Sequence, residues 1–394
     1  MATLELNPAG ALPILLILGG TVVHQAIARL TRVNANNKVT VTPVCFSFGW
    51  IGLIFIILDA ALGSRQLFPS VPVVSTLINA DSSLGRNNRS WVLNRLLESG
   101  ESRVQAVDRT DKPPQQSSGN ISLVIDVFTT KPSTGGKWSA VSPVWISSVF
   151  TIFFQLAIST VPWILHGNIF ICLLTVFGYC LAVATASLPQ WAAQKWSAAR
   201  CNKTKPVLLT KGNGHQYVML VICEPGSWDL ETMATARPVY VPGTPWVVCG
   251  LVFCWVAFLH CVANVSDGAW YLFAIASIGY VQNCFAAGYP CSSAELDLNL
   301  EPHQVCPTIV GYQRHNAAKK LHRKTGFSEK DLKKVNDPET DCRDVMGAIM
   351  ELEKYFPKAG QALLPVFFPG TEGNGDGMAL DGQKVFWKKI SGSA

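Results

Sequence analysis

Six apolar runs, at about 11–28, 43–62, 144–165, 168–188, 245–263 and 269–289, constrain this chain more than any motif in it. Each has the roughly 17 to 25 residues needed to cross a hydrocarbon layer of about 30 Å at about 1.5 Å per residue. Only 15% of the 394 residues are charged, against about 25% in a soluble domain. The deficit sits in the six runs, as expected where lipid is the solvent for part of the chain. The first run ends on Ala26-Ile27-Ala28, which resembles a signal-cleavage site. No Lys or Arg precedes it, and secretory signals carry a basic start, so it reads as an uncleaved span.

The runs form three hairpins. The links 166-HGN-168 and 264-NVSDG-268 carry no Lys or Arg, whereas the 188–244 connection carries six and the tail fourteen. The positive-inside rule then places the large segments and both termini in the cytosol. Arg29, Arg32 and Lys38 in the first link pull the other way, and the sequons at Asn88, Asn120 and Asn202 fit the opposite orientation. The expected fold is membrane all-α, six transmembrane helices in three hairpins, with a small cytosolic α/β cap built from the loops and C-terminal tail. Its segments are a first hairpin (1–62), a polar connection (63–143), a second hairpin (144–188), a connection with a β-hairpin (189–244), a third hairpin (245–289) and a cytosolic tail (290–394). The expected location is the endoplasmic reticulum membrane.

The polar segments carry their own signals. The stretch 90-SWVLNRLLES-99 reads as helix, 111-DKPPQQSSGN-120 as low complexity, and 121-ISLVIDVFTT-130 as strand. In the tail, a basic run from Arg314 to Lys334 precedes a helix that Asp337 can cap, with Pro338 at its first position. Val345, Ile349, Leu352 and Phe356 recur on one face of that helix, and 357-PKAG-360 breaks it. No internal repeat is visible, which weakens a transporter reading.

The stretch 210-TKGNGHQYVMLVI-222 has two glycines one residue apart and no helix behind them. A nucleotide loop needs G-x-x-x-x-G-K-[ST], and a dinucleotide fingerprint needs a third glycine. A β-hairpin fits better: 207–210 and 217–222 are strand-prone, and Asn213-Gly214 suits a tight turn with positive φ. Because two strands alone are marginal, residues 121–130 and 307–313 are the expected partners. An interfacial loop is the other alternative.

Of the twelve cysteines, seven (Cys45, Cys172, Cys180, Cys249, Cys254, Cys261 and Cys284) lie in the apolar runs and read as small hydrophobes. The other five form no C-x-x-C pair, so neither metal nor cofactor is expected. The net charge of +6 is not arranged as a basic stripe interleaved with aromatics, so no nucleic-acid partner is expected.

Several stretches carry a resemblance: 45-CFSFGWIGLIF-55, 90-SWVLNRLL-97, 188-LPQWAAQKW-196, 211-KGNGHQYVMLVI-222, 229-DLETMA-234, 270-WYLFAIASIGYVQN-283 and 363-LLPVFFPG-370. Together and in this order they resemble mostly uncharacterised multi-pass membrane proteins of filamentous fungi. The resemblance implies an architecture and a source but no activity. In that family an acidic residue tends to follow the glycine ending the second span, whereas this chain has Gly63-Ser64.

Ionisable residues within spans are costly and therefore candidates for function. Asp59 and His260 are the candidate catalytic pair; His24 in the first run and Asp267 in the link between the fifth and sixth are the other ionisable residues noted. An acid held among apolar side chains has its pKa raised and can protonate an alkene or epoxide, and aromatic faces such as Trp50, Trp255 and Tyr280 can stabilise the cation that follows. The expected function is a membrane-embedded cyclase or isomerase of a hydrophobic prenyl intermediate in fungal secondary metabolism. The alternative is a non-catalytic membrane anchor or scaffold that organises partners through its cap. Blander readings stand beside these. Asp59 lies close enough to the interface to be simply hydrated, and the Trp and Tyr residues suit an aromatic belt. His260, Gln155, Gln282 and Asn283 suit hydrogen bonds between helices. The expected partners are the lipid bilayer, a hydrophobic small molecule, and anionic lipid at the 314–334 run.

Overall fold

The computed structural model describes residues 11–31, 41–71, 73–110, 121–132, 142–265, 267–296, 298–312, 344–369, 386–387 and 390. In chain order the elements are α1 (Leu12–Ile17), α2 (Gly20–Leu30), α3 (Trp50–Leu62), β1 (Ser75–Asn79), β2 (Leu84–Asn88), α4 (Trp91–Thr110) and β3 (Ile121–Thr130). There follow α5 (Pro143–His166), α6 (Phe170–Ala186), α7 (Pro189–Lys195), β4 (Lys205–Thr210), β5 (Tyr217–Cys223), α8 (Leu230–Ala234), α9 (Thr244–Ala263) and α10 (Ala269–Gly288). The tail adds β6 (Leu300–Pro302), β7 (Thr308–Tyr312), α11 (Val345–Tyr355) and α12 (Ala359–Phe367). The 314–334 run lies outside the described residues.

Three helices are long and apolar enough to cross a membrane: α5, α6 with its continuation α7 (Phe170–Lys195), and α9. Their outer faces suit lipid. Phe150 is 72% exposed, Phe253 80% and Trp246 82%, and a water-facing monomer rarely shows so much contiguous apolar surface. Trp145, Trp246 and Tyr289 stand near the helix ends on the side of the sheet, and Trp163 and Trp270 near the opposite ends. Along α5, Trp145 and Trp163 are about 27 Å apart at 1.5 Å per residue, close to a hydrocarbon thickness.

The expectation of six spans is corrected. The first run is not one helix: it breaks at Gly19, whose φ of +83° ends one segment and starts another. The second has no regular secondary structure over 41–47 and is helical only over the 13 residues of α3, about 20 Å and too short to cross. The last forms the 20-residue α10, but Tyr280, Gln282 and Asn283 dilute its apolarity.

Non-helical backbone inside a helix bundle is tolerated only where protein groups satisfy it, and the buried segment Cys45–Ser47 meets that condition. Gln155 Nε2 donates to the carbonyls of Phe46 at 2.9 Å and Ile275 at 2.5 Å. Asn283 Nδ2 donates to the Cys45 carbonyl at 3.0 Å and to Ser47 Oγ at 2.8 Å. The Tyr179 hydroxyl donates to Gln155 Oε1, and Trp50 Nε1 donates to the Cys45 carbonyl at 3.2 Å. Gln155 and Asn283 thus bind this segment, while Gln282 joins helices directly through Ser147 and Ser148. Around them Trp50 stacks on Trp255 at 5.5 Å, and Phe258 meets Phe46 edge-on at 5.5 Å.

The all-α class is corrected as well, because seven strands form one sheet. Its order is β2-β1-β4-β5-β3-β6, with β7 also on β3. All pairings are antiparallel except β3 with β5. The expected hairpin forms as β4 and β5, in register from Lys205↔Cys223 to Thr210↔Val218. The turn differs from expectation: Gly212 and Gly214 take positive φ and Asn213 does not, so a six-residue loop replaces the tight Asn-Gly turn. Both expected partners join the sheet, β3 beside β5 and β7 beyond it.

The central strands alternate between two cores. Val207, Leu209, Tyr217, Met219 and Val221 belong to the core shared with the bundle. Leu208, Val218 and Leu220 face a second core completed by Ile349 and Leu352 of α11 and Leu363 of α12. Burial on both faces explains why YVMLVIC is apolar without alternation. Asp344 caps α11, accepting from the Gly347 N–H at 2.7 Å; the expected cap Asp337 and Pro338 lie outside the described residues. The Asn88 sequon is buried, with Nδ2 donating to Ser75 Oγ at 2.9 Å; Asn202 is exposed, and Asn120 lies outside the described residues.

A Cβ on Gly279 would fall on the Phe46 carbonyl oxygen, whereas one on Gly250 meets nothing within 4 Å. Gly279→Ala is therefore expected to cost about 1–3 kcal/mol or more through overpacking, and Gly250→Ala to be neutral or to gain up to about 1 kcal/mol of helix propensity. Thermal unfolding of the two variants in nanodiscs checks this; equal melting temperatures would contradict the placement of Phe46.

Candidate functional site

The two residues expected to act together are far apart. Arg65, just past α3, lies over the ring of Tyr240, just ahead of α9, at 4.8 Å. The C-terminal end of α3 is thus beside the N-terminal end of α9. Asp59 sits near the former, and His260 is close to the far end of α9. Both are exposed on the outer surface, and the Asn264 side chain bonds only the His260 carbonyl, at 2.8 Å. His24 is buried against the Trp191 ring and bonds the Leu67 carbonyl through Nε2 at 2.6 Å. Asp267 is exposed in the link between α9 and α10.

The polar groups that do meet are on the sheet, at the loop that follows β4. Lys211 Nζ donates to Glu101 Oε2 at 2.5 Å, and His215 Nδ1 lies 2.9 Å from Glu101 Oε1. The loop is shaped by its own backbone: Thr210 Oγ1 accepts from the Gly212 N–H at 3.1 Å, and the His215 N–H donates to the Gly212 carbonyl at 3.3 Å. The lysine and imidazole of TKGNGHQY are therefore committed to a carboxylate of α4. Next along the strand, the Tyr217 hydroxyl donates to Asp126 Oδ2 at 3.0 Å, and Thr308 Oγ1 donates to Asp126 Oδ1 at 2.8 Å. Gly100 makes room for the Tyr217 ring, which a Cβ there would overlap.

Burial raises the Glu101 carboxyl pKa, but the hydrogen bonds from Lys211 and His215 and their charges outweigh it and hold the group below its ordinary value. The Tyr217 hydroxyl is pushed up, first by burial and then by the Asp126 charge, and stays protonated as a donor. With Glu101 ionised, His215 Nδ1 is the donor and Nε2 is the nitrogen left for a proton or a ligand. The cluster brings an ammonium, a carboxylate and an imidazole together beside the loop. No nucleophile stands within hydrogen-bond reach of His215 in the described contacts.

Among the described residues no three His, Cys, Asp or Glu side chains are grouped to hold a metal ion. Sequence reasoning missed one cysteine pair, Cys201 and Cys223, close enough for each thiol to perturb the other. Cys201 and burial together push the Cys223 thiol up. It also missed Glu101, for which nothing in the local sequence signals a partner more than a hundred residues away.

Comparison of the chain with protein-family models, with curated proteins and with solved structures finds no match. The resemblance to fungal multi-pass proteins accordingly stays an expectation drawn from the quoted motifs.

A carboxyl whose pKa is depressed on folding stabilises the fold above its unfolded value, about 4.3, and loses that contribution as pH falls through the folded value. Glu101→Gln is expected to destabilise the protein by about 1–2 kcal/mol at neutral pH, the range of charge-assisted hydrogen bonds and partly exposed ion pairs. The difference from wild type should hold from pH 8 to about pH 5 and shrink below about pH 4.3. Denaturant melts of both proteins across that range check it; a pH-independent difference would rule out the ionised Glu101.

Proposed function

We propose that this chain is a non-catalytic membrane anchor whose function is carried by its α/β cap, which organises a polar partner at the charged surface around Lys211 and His215. The observation that carries this reading is the filled axis of the bundle. Phe46, Trp50, Trp255 and Phe258 have no exposed surface, and they pack where an embedded enzyme would need its chamber. The groups with mutual polar geometry lie instead on the cap.

In this reading α5, α6, α9 and α10 cross the bilayer, and segments 12–30 and 41–62 are lodged among them as broken elements. The length of α10, its Tyr289 and Trp270 at opposite ends, and the burial of Cys45–Ser47 support that arrangement. The orientation proposed has the cap in the cytosol of an endoplasmic reticulum membrane. It rests on the absence of Lys and Arg from links 167–169 and 264–268.

The competing proposal, a prenyl cyclase or isomerase, is favoured by the density of aromatic rings in the bundle and needs Asp59 or His260 as its acid. A single set of measurements on the full-length protein in membranes separates the two. With a photo-reactive residue at Asn213, which is exposed at the loop tip, the anchor reading expects one adduct of fixed mass that Glu101→Lys removes. It expects no isomeric product from prenylated epoxides or polyenes. Conversion to a product of equal mass, abolished by Asp59→Asn or His260→Ala, would overturn it, as would the absence of any adduct.

A further inference from the structure

The junction of cap and bundle holds a cleft that neither reading above uses. It is walled by Gln66 just past α3, by Gln194 and Lys195 at the end of α7, by Arg237 on the approach to α9, and by Arg89 and Trp91 at the start of α4. Three of these walls are the chain immediately flanking α3, α6–α7 and α9. The cleft therefore stands where the apolar helices end, at the depth of lipid headgroups.

Its chemistry has one sign. Arg89, Lys195 and Arg237 line it, and no Asp or Glu does. Lys195 is buried and structural, donating to the carbonyls of Ala28 at 2.8 Å and Thr31 at 2.7 Å at the C-terminal end of α2. Arg89 and Arg237 are exposed and have no carboxylate partner among the described residues. By contrast Arg86, on the neighbouring strand, is paired to Glu231 at 2.9 Å. The cleft is shallow, with room of about 20 Å³, roughly a single water's worth. Such a space receives a projecting group and does not enclose a whole molecule.

We infer that this cleft binds a phosphate group, held between the guanidinium groups of Arg89 and Arg237 at the positive end of α4. Guanidinium forks match phosphate oxygens in pairs, and the first N–H groups of a 20-residue helix add a favourable dipole. The depth of the cleft makes the headgroup of an anionic lipid the nearest source, and a soluble phosphate carries the same chemistry.

The test uses the full-length protein in phosphatidylcholine nanodiscs, with thermal unfolding as the readout. Phosphatidic acid doped into the discs is expected to raise the melting temperature, and each of Arg89→Gln and Arg237→Gln to weaken that effect about tenfold, the worth of a hydrogen bond to a charged group. The double variant should lose the shift while Arg86→Gln keeps it. Inorganic phosphate added to undoped discs separates the sources: protection by phosphatidic acid alone assigns the site to lipid, and equal protection by free phosphate assigns it to a soluble ligand. Should the double variant fail to fold, the single variants carry the same comparison. No shift with either ligand would overturn the inference. So would a full shift retained without both arginines, since binding would then lie elsewhere, at the 314–334 run for example.

Discussion

Two side-chain amides hold the centre of this molecule together. Gln155 and Asn283, both fully buried, supply the donors for the backbone of Cys45–Ser47, which crosses the bundle without being helical. In an apolar interior each unmade hydrogen bond would cost several kcal/mol. The non-helical segment exists because α5 and α10 bring these amides to it. Much else follows from that contact. The chain can turn at Gly49 and start α3 at Trp50, the Trp50 ring can stack on Trp255, and Gly279 must lack a side chain where the Phe46 carbonyl arrives.

The bundle and the sheet are not separate bodies joined by linkers. One core runs from Leu16 and Trp50 through Trp191 to Leu77 and Met219. Polar contacts reinforce the join: Arg29 to Glu295 at 2.5 Å, Gln25 accepting from Trp91 Nε1 at 2.8 Å, and Lys195 closing the end of α2. The sheet's other face is covered by α11 and α12 from the tail, so segments distant in sequence are required to finish it. A sheet built this way is fixed to the apolar helices by a shared core.

Local elements were legible wherever one short stretch carries enough information. The strand-prone runs 207–210 and 217–222 and the β-branched run 121–130 gave β4, β5 and β3 close to their observed bounds, while 90–99 located only the first half of α4. The spans were less legible because hydropathy counts side chains and is blind to backbone. ALPILLILGGTVVHQAIA and the 43–62 run score as spans, yet positive φ at Gly19 and Gly49 breaks them. Strands β1 and β2 were missed because 75-STLIN-79 and 84-LGRNN-88 lack sustained apolar alternation. They are strands because β4 offers an edge to pair with. Asp59 and His260 were singled out as charges in apolar runs, but only the packing of α3 against α9 decides that they face outward at opposite ends.

The sequence by itself determined that this chain holds runs apolar enough to cross a membrane, that its polar segments hold strands as well as helices, and that TKGNGHQYVMLVI is a hairpin and not a nucleotide loop. Those properties follow from length, periodicity and turn chemistry, each set by neighbours along the chain. The tertiary structure alone decided which apolar runs remain straight helices, that Lys211 and His215 answer to Glu101, and that Arg89 and Arg237 stand together at the junction. Each of these depends on groups tens to hundreds of residues apart meeting within a few ångströms. Such meetings are fixed by how a buried backbone finds its hydrogen bonds and how facing surfaces fill space, and no local pattern records them.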